Sequence, residues 1–151
     1  MQTEEEIILR KNRMSVLARA RTPRLQELWD ALGLAPSYRT LRGPECGLIT
    51  LQGRVGGSGE PFNFGEATVT RTSVRLDDGS VGHAVALGRD TEKARIAALV
   101  DAVCLEPETA ALVDARMIAP LQRELDEADE ERRQQTAATR VDFFTMVRGE
   151  D

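Results

Sequence analysis

The apolar residues at the start of the chain recur at helical spacing. Within residues 4–20 they lie three or four positions apart, which predicts an amphipathic helix. The residues of this stripe are Ile7, Ile8, Met14, Leu17 and Ala18. A short second helix is expected next, because Thr22 can cap it, Pro23 suits its first turn and Gly33 can end it.

The middle of the chain changes to a period of two, which is typical of strands. Ile49, Leu51 and Val55 alternate with polar residues, and residues 66–76 are rich in Thr, Val and Arg. The apolar phase changes within 66–76, so we expect a bulge near residues 71–73. The sequence Asp78-Gly79 predicts a two-residue hairpin turn into the next strand.

The strand after this turn has one face with almost no side chains. That face carries Gly82, Ala84, Ala86 and Gly88, so another backbone can approach it closely. The chain's one histidine, His83, lies on the opposite face beside valines. This position favours a half-buried, hydrogen-bonded histidine over a catalytic base.

The last third of the chain predicts further helices. Asp90 is suited to cap a helix that ends near Cys104 and is apolar nearly all round, so we expect it to be buried against the sheet. Another helix should start at Pro107. Residues 121–133 are mostly charged, which fits either a solvated helix or an arm that carries the following tail to another subunit.

The order of elements predicts an α+β fold. We expect an antiparallel meander of about four strands, packed against N-terminal and C-terminal helices. The 151 residues suit a single domain over 1–151, with a charged helical arm and an aromatic tail at about 120–151.

Composition excludes several classes of protein. The net charge of −5 argues against a broad nucleic-acid surface. No apolar run approaches the roughly 18–20 residues that span a bilayer, and the acidic start is unlike a signal peptide, so we expect a cytoplasmic protein without a membrane partner. Cys46 and Cys104 lack metal-ligand spacing, and we expect both to be reduced and buried and the chain to hold no metal.

The glycine-rich segment Gly56-Gly57-Ser58-Gly59 is a candidate anion site, since backbone amides in such a turn can cradle an anion. A flexible connection between two antiparallel strands stays open as the alternative. Arginines in and around the predicted strands can add fork-shaped phosphate contacts, although surface ion pairs would also account for them. The candidate anion-binding or nucleotide-binding residues are Arg54, Gly57, Ser58, Gly59, Arg71 and Arg89. Arg75 is a further possible phosphate ligand, because regular pairing would put it on the same strand face as Arg71.

Two aromatic segments are candidate partner contacts. Phe62 and Phe64 follow the glycine-rich segment at alternate positions, where they can either fill the core or contact a partner. Phe143 and Phe144 lie in an apolar tail and would be costly to leave in water. The candidate interface residues are Phe62, Phe64, Val141, Phe143, Phe144, Met146, Val147 and Arg148.

Several blocks of this sequence resemble one known family. They are VDFFTMVRG at 141–149, RVGGSGE at 54–60, FGEATVTR at 64–71, Val74-Arg75-Leu76 with Asp78-Gly79, and Gly88-Arg89-Asp90. Together they are similar to PhnG, a subunit of the bacterial carbon–phosphorus (C–P) lyase core complex.

The resemblance implies a role in phosphonate catabolism. PhnG-like chains support a transferase that makes ribose 1-alkylphosphonate 5-triphosphate from ATP and an alkylphosphonate, with release of adenine. It implies assembly with the other core subunits, especially the one resembling PhnI, in a homo-oligomeric or mixed complex. ATP would be a substrate of the complex, no cofactor would be bound by this chain alone, and the isolated chain would be inactive. A stand-alone anion-binding or nucleotide-binding regulatory module is the alternative.

Overall fold

Five α-helices and one antiparallel sheet make up residues 3–139, the part of the chain that the computed structural model describes. The helices are α1 (Glu4–Arg19), α2 (Thr22–Ala31), α3 (Thr91–Val103), α4 (Pro107–Val113) and α5 (Ala119–Ala138). The strands are β1 (Tyr38–Arg54), β2 (Pro61–Leu76) and β3 (Val81–Leu87), in the spatial order β1-β2-β3. The α+β class and the antiparallel meander are confirmed.

The expected count of about four strands is wrong for the described residues, which form three. The reason is the length of β1, which begins at Tyr38 and runs for 17 residues. It passes through Gly43 and Pro44 without ending. Proline is tolerated there because β1 lies at the edge of the sheet, where a missing N–H need not break a ladder.

The predicted bulge lies on the neighbouring strand. β2 pairs with β3 in unbroken register from Val69 to Arg75, so β2 itself is regular there. The extra residues lie on β1, where the register shifts between Thr40 and Arg42 and again between Arg42 and Glu45. The apparent change of apolar phase arises because Thr70 and Thr72 occupy buried positions, where their hydroxyls donate to backbone carbonyls.

The β2–β3 hairpin is confirmed, but its loop is one residue longer than predicted. The Leu76 N–H donates to the Ser80 carbonyl, which leaves residues 77–79 as the loop. Gly79 has a φ of 94°, the left-handed conformation that a three-residue hairpin needs at this position. The Asp78 carboxylate accepts from the Ser80 N–H and fixes the turn.

The small-residue face of β3 brings the backbone of α3 unusually close, as predicted. A Cβ built on Gly82 would lie 2.1 Å from the Ala98 carbonyl oxygen and 2.5 Å from the Ala102 nitrogen. Ala84 and Ala86 are buried on the same face. Helix α3 is therefore packed directly onto the sheet and is buried over most of its length, as its composition predicted.

The predicted apolar stripe of α1 is only partly right. Leu17 is buried, but Ile7 and Ile8 are exposed. Arg10 and Arg13 occupy inward positions near the middle of α1. They are tolerated there because each is ion-paired with an aspartate. The stripe that faces the protein is thus partly charged, which the spacing of apolar residues could not reveal.

Those two arginines connect α1 to the rest of the fold. Arg10 donates from Nε and Nη2 to the Asp101 carboxylate of α3, with both distances 2.7 Å. Arg13 makes the same bidentate contact to the Asp114 carboxylate, from Nε at 2.6 Å and from Nη2 at 2.7 Å. The Asp101 carboxylate also accepts from the His83 N–H of β3 at 2.8 Å. The buried side chain of Asp101 therefore connects α1, α3 and β3.

The charged C-terminal helix is not a free arm over its whole length. Leu121 is buried, Leu125 packs against the core, and Asp129 accepts from Arg19 of α1 at 2.6 Å. Beyond that point, residues 130–139 are exposed. The first half of α5 is therefore part of the domain, and the predicted tail that follows lies outside the described residues.

We expect Gly82→Ala to destabilise the fold by about 2–4 kcal/mol, because the added methyl group must push α3 away from β3. Urea unfolding of the full chain would measure the change in the free energy of unfolding.

The matched control is Gly47→Ala on β1, where an added Cβ would meet no atom within 4 Å. This variant should stay within about 0.5 kcal/mol of the parent protein. Equal effects at both positions would show that the close helix–strand contact does not limit stability.

Candidate functional site

The two longest strands continue beyond the rest of the sheet as a two-stranded ribbon, which we define as residues 48–68. Within the described residues, β3 pairs with β2 only over 69–75, so the ribbon strands pair with each other, apart from the Gly88 N–H that donates to the Thr68 carbonyl at 2.8 Å. The seven residues from Leu48 to Arg54 rise about 3.3 Å each, which makes the ribbon about 23 Å long.

The ribbon carries a set of exposed large apolar side chains. They are Leu48 (65% exposed), Ile49 (42%), Val55 (72%), Phe62 (45%) and Phe64 (60%). Isolated two-stranded hairpins are marginally stable in water, and contiguous exposed apolar surface marks interaction sites. The ribbon is therefore a candidate interaction surface.

Phe62 and Phe64 form the centre of this surface. Their ring centroids are 6.1 Å apart and tilted by 58°, a favourable aromatic arrangement. A Cβ on Gly53 would lie 3.2 Å from the Phe64 ring, so the glycine leaves room for the ring against the strand. Both rings lie on one side, as predicted, and their exposure excludes the alternative that they fill the core of this domain.

The glycine-rich segment forms the tip of the ribbon. Gly56 and Gly57 have φ values of 63° and 79°, which only glycine adopts readily. The Gly59 N–H donates to the Val55 carbonyl at 3.1 Å, and Arg54 donates to the Gly59 carbonyl at 3.1 Å. The segment is thus a connection between two antiparallel strands, closed by its own arginine. Its candidate role in anion binding, with Gly57, Ser58 and Gly59, stays a prediction.

The candidate arginines are not brought together. Arg54 lies at the ribbon tip, whereas Arg71 pairs with Glu45, nine residues back along β1, which corresponds to about 30 Å. Arg89 follows β3 at the start of α3. No single small anion can contact Arg54 and Arg71 at once.

His83 is exposed, so the expected half-buried position is wrong. The reason is that no helix covers its side of the sheet in the described part of the chain. Its Nδ1 lies 2.7 Å from the Ser73 hydroxyl, and its backbone N–H donates to Asp101. Asp101 thus contacts the backbone of His83 and not its ring, so these three residues do not form a Ser-His-Asp arrangement.

The cysteines differ from expectation in one case. Cys104 is half-buried, and burial raises the pKa of its thiol to about 12, so the thiolate is scarce at neutral pH. Cys46 is exposed, because it lies on the edge strand β1 beyond the cover of α3. Within residues 3–139 no three His, Cys, Asp or Glu side chains cluster closely enough to hold a metal ion.

Two further findings depend on which residues the structure describes. No helix among them is both long and apolar enough to cross a membrane. The candidate interface residues of the tail lie outside the described residues. These are Val141, Phe143, Phe144, Met146, Val147 and Arg148.

Comparison with known proteins identifies the family. The family described as "Phosphonate metabolism protein PhnG" matches residues 9–149. This chain belongs to the PhnG family. It is 48% identical, over 142 residues, to the "Alpha-D-ribose 1-methylphosphonate 5-triphosphate synthase subunit PhnG" of Rhizobium meliloti (strain 1021). The match covers 94% of this chain and 90% of that protein, and it confirms the resemblance found in the sequence motifs.

One of the motifs that resemble PhnG contains the N-terminus of α3. Asp90 caps the helix, as predicted: its carboxylate accepts from the Lys93 N–H at 2.9 Å and from the Thr22 hydroxyl. The Lys93 N–H, and after it the Thr22 hydroxyl, hold the pKa of Asp90 below its usual value. This N-terminus thus holds a carboxylate of its own chain, beside which Arg89 lies. An anion-binding role for Arg89 stays a prediction.

We expect Asp90→Asn to lower the stability of this PhnG-family protein by about 1 kcal/mol at pH 7, because the ionised cap is lost. A depressed pKa contributes stability that is present above the ordinary aspartate value near pH 4 and is lost as pH falls through the lower, folded-state value. The difference between parent and variant should therefore shrink at acid pH. Urea unfolding at several pH values would measure it.

The control is Asp77→Asn in the β2–β3 turn, since no side-chain hydrogen bond of Asp77 is present within residues 3–139. Its effect should be small at every pH. If the difference in unfolding free energy between Asp90→Asn and the parent stays constant down to acid pH, the assigned role of the Asp90 charge is contradicted.

Proposed function

We propose that this PhnG-family chain is a non-autonomous subunit of the C–P lyase core complex. In this role it supports the synthesis of ribose 1-alkylphosphonate 5-triphosphate from ATP and an alkylphosphonate. The bond between ribose and adenine is broken, adenine leaves, and a phosphonate oxygen bonds to the ribose carbon. The 48% identical relative, named as a subunit of such a synthase, supports this proposal.

The observation that carries the subunit role is the exposed apolar ribbon. In a free-standing enzyme or regulator, Leu48, Phe62 and Phe64 would expose apolar surface to water with no compensating contact. A subunit buries them at an interface, where aromatic residues contribute most of the binding energy. We propose that the ribbon docks on another core subunit, the one resembling PhnI, in the cytoplasm.

In this proposal the catalytic groups belong mainly to the partner. Among the described residues, the exposed imidazole of His83 forms a hydrogen bond with the Ser73 hydroxyl and with no other side chain. The chain then acts by completing and shaping a site of the complex. ATP is a substrate of the complex in this scheme, and the chain needs no cofactor of its own.

Replacing Phe62 and Phe64 by Ser should weaken co-purification with the partner subunits by about 30-fold or more, because two aromatic anchors are lost. Co-expression followed by affinity capture of the tagged chain would measure the yield of each partner. Adenine release from ATP in the presence of methylphosphonate should fall in proportion to assembly.

The matched control is Ile8→Ser, which removes an apolar side chain that is 59% exposed on α1 instead of on the ribbon. It should assemble as the parent does. Normal co-purification of the Phe62/Phe64 variant, or equal loss in the control, would reject the ribbon as the docking surface.

The aromatic tail is a second proposed contact with a partner. Phe143→Ala combined with Phe144→Ala should reduce co-purification while leaving the thermal unfolding of the domain unchanged, because the proposal places these side chains against a partner. Differential scanning fluorimetry and affinity capture on the same preparations would separate the two effects. A variant that unfolds earlier but still assembles would assign the tail to its own domain instead.

A further inference from the structure

Within residues 3–139, the sheet has one face covered by α3 and one face that no helix covers, which we call the outer face. On β2 the outer face consists of Arg71, Ser73 and Arg75, the positions that alternate with buried Thr72 and Val74. The strand register adds three residues of β1 and three of β3 to these. They are Arg39, Arg42 and Glu45 on β1, and Val81, His83 and Val85 on β3.

The outer face is strongly basic although the whole chain is acidic. It holds four arginines against a single carboxylate, whereas the chain carries a net charge of −5. The one carboxylate, Glu45, is already shared: its Oε1 accepts from Arg42 at 2.6 Å and from Arg71 at 2.8 Å. These two arginines are therefore held in place, and the one carboxylate offsets half of their combined charge.

The other two arginines have no such partner. Within residues 3–139, Arg39 and Arg75 have no carboxylate oxygen within the 4.0 Å of an ion pair. They are direct cross-strand partners, so their Cβ atoms lie roughly 5 Å apart on the same side of the sheet. Like charges in this position destabilise a sheet. An anion bound between them would relieve that repulsion.

The neighbouring row supplies neutral hydrogen-bonding groups. Ser73 and His83 are 2.7 Å apart, and they lie next to the arginine pair at a distance of about 7 Å along the strands. A hydroxyl, an imidazole and planar guanidinium groups are typical ligands of phosphate oxygens. The row spacing favours an extended chain of phosphates over a single phosphate group.

We propose that the outer face binds the oligophosphate chain of a nucleoside or ribosyl triphosphate, with Arg39 and Arg75 as its main ligands and Ser73 and His83 beside them. The choice of a triphosphate rests on the proposed function, since both ATP and the product of the reaction carry one. The site differs from the glycine-rich tip, which lies about 45 Å away along β2.

The test is a calorimetric titration of the full chain with inorganic tripolyphosphate, with ATP, methylphosphonate and adenosine as further arms. Tripolyphosphate and ATP should bind with similar affinity, and both should bind more tightly than methylphosphonate, while adenosine should not bind. Arg39→Gln combined with Arg75→Gln should weaken tripolyphosphate binding by about 10-fold or more, because two charge-assisted contacts are lost.

The matched control is Arg116→Gln combined with Arg123→Gln, which removes the same charge from two exposed arginines on the helical side of the protein. It should change tripolyphosphate affinity by less than about 2-fold, because long-range effects of exposed charges are screened by salt. Equal weakening by both double variants would overturn the site in favour of nonspecific charge attraction. Equal affinity for methylphosphonate and tripolyphosphate would overturn the preference for an oligophosphate.

Co-purification with partner subunits, measured on the same variants, separates this proposal from the subunit role. A parent chain that assembles but binds no tripolyphosphate overturns the anion site alone. A parent chain that binds tripolyphosphate but never assembles overturns the subunit role alone. If Arg39→Gln with Arg75→Gln abolishes assembly and the parent binds no tripolyphosphate, the outer face is a protein contact, and the anion site is overturned.

Discussion

The contact between α3 and β3 determines how the rest of this protein is arranged. At Gly82 the strand and the helix are in backbone contact, which requires the missing side chain. The buried Asp101 of α3 then accepts from the His83 N–H of β3 and from Arg10 of α1. A buried carboxylate is tolerated only when its oxygens are well paired, and this one accepts three hydrogen bonds. The same residue thus fixes a helix to the sheet and a second helix to the first.

This contact also decides what remains uncovered. Because α3 lies along β3 and the adjoining part of β2, its cover ends where β3 ends. β1 and β2 are more than twice as long as β3, at 17 and 16 residues against seven. The surplus length becomes the ribbon. The side of the sheet opposite α3 becomes the outer face, since no described helix packs there. Both candidate surfaces therefore arise from the placement of one helix.

The sequence predicted the features that depend on local chemistry. The cap at Asp90, the turn containing Gly79 and the small-residue face around Gly82 each follow from the properties of a few adjacent residues. The α+β class followed from the order of those elements. In the same way, the aromatics at alternate positions 62 and 64 were enough to mark a candidate interface, which stays a prediction.

The features that the sequence did not predict depend on distant partners. Arg10 and Arg13 occupy inward positions of α1. They can do so because the carboxylates of Asp101 and Asp114 lie opposite them and pair with them. The first half of β1 was missed because the alternation of apolar and polar residues begins only at Ile49, whereas the strand starts at Tyr38. The opposition of Arg39 and Arg75 depends on the register between two strands, and a slip of one residue would turn each side chain to the other face.

That register links the two candidate surfaces physically. A two-stranded ribbon has few contacts of its own to hold one alignment, and polar or exposed strands are those in which registers slip. β1 and β2 run from the ribbon into the outer face and stay paired across two register shifts on β1, so the alignment at one end constrains the alignment at the other. A partner that packs on the ribbon, as proposed, would therefore stabilise the pairing that places Arg39 opposite Arg75. The proposed assembly and the proposed anion site would then depend on the same strand pairing.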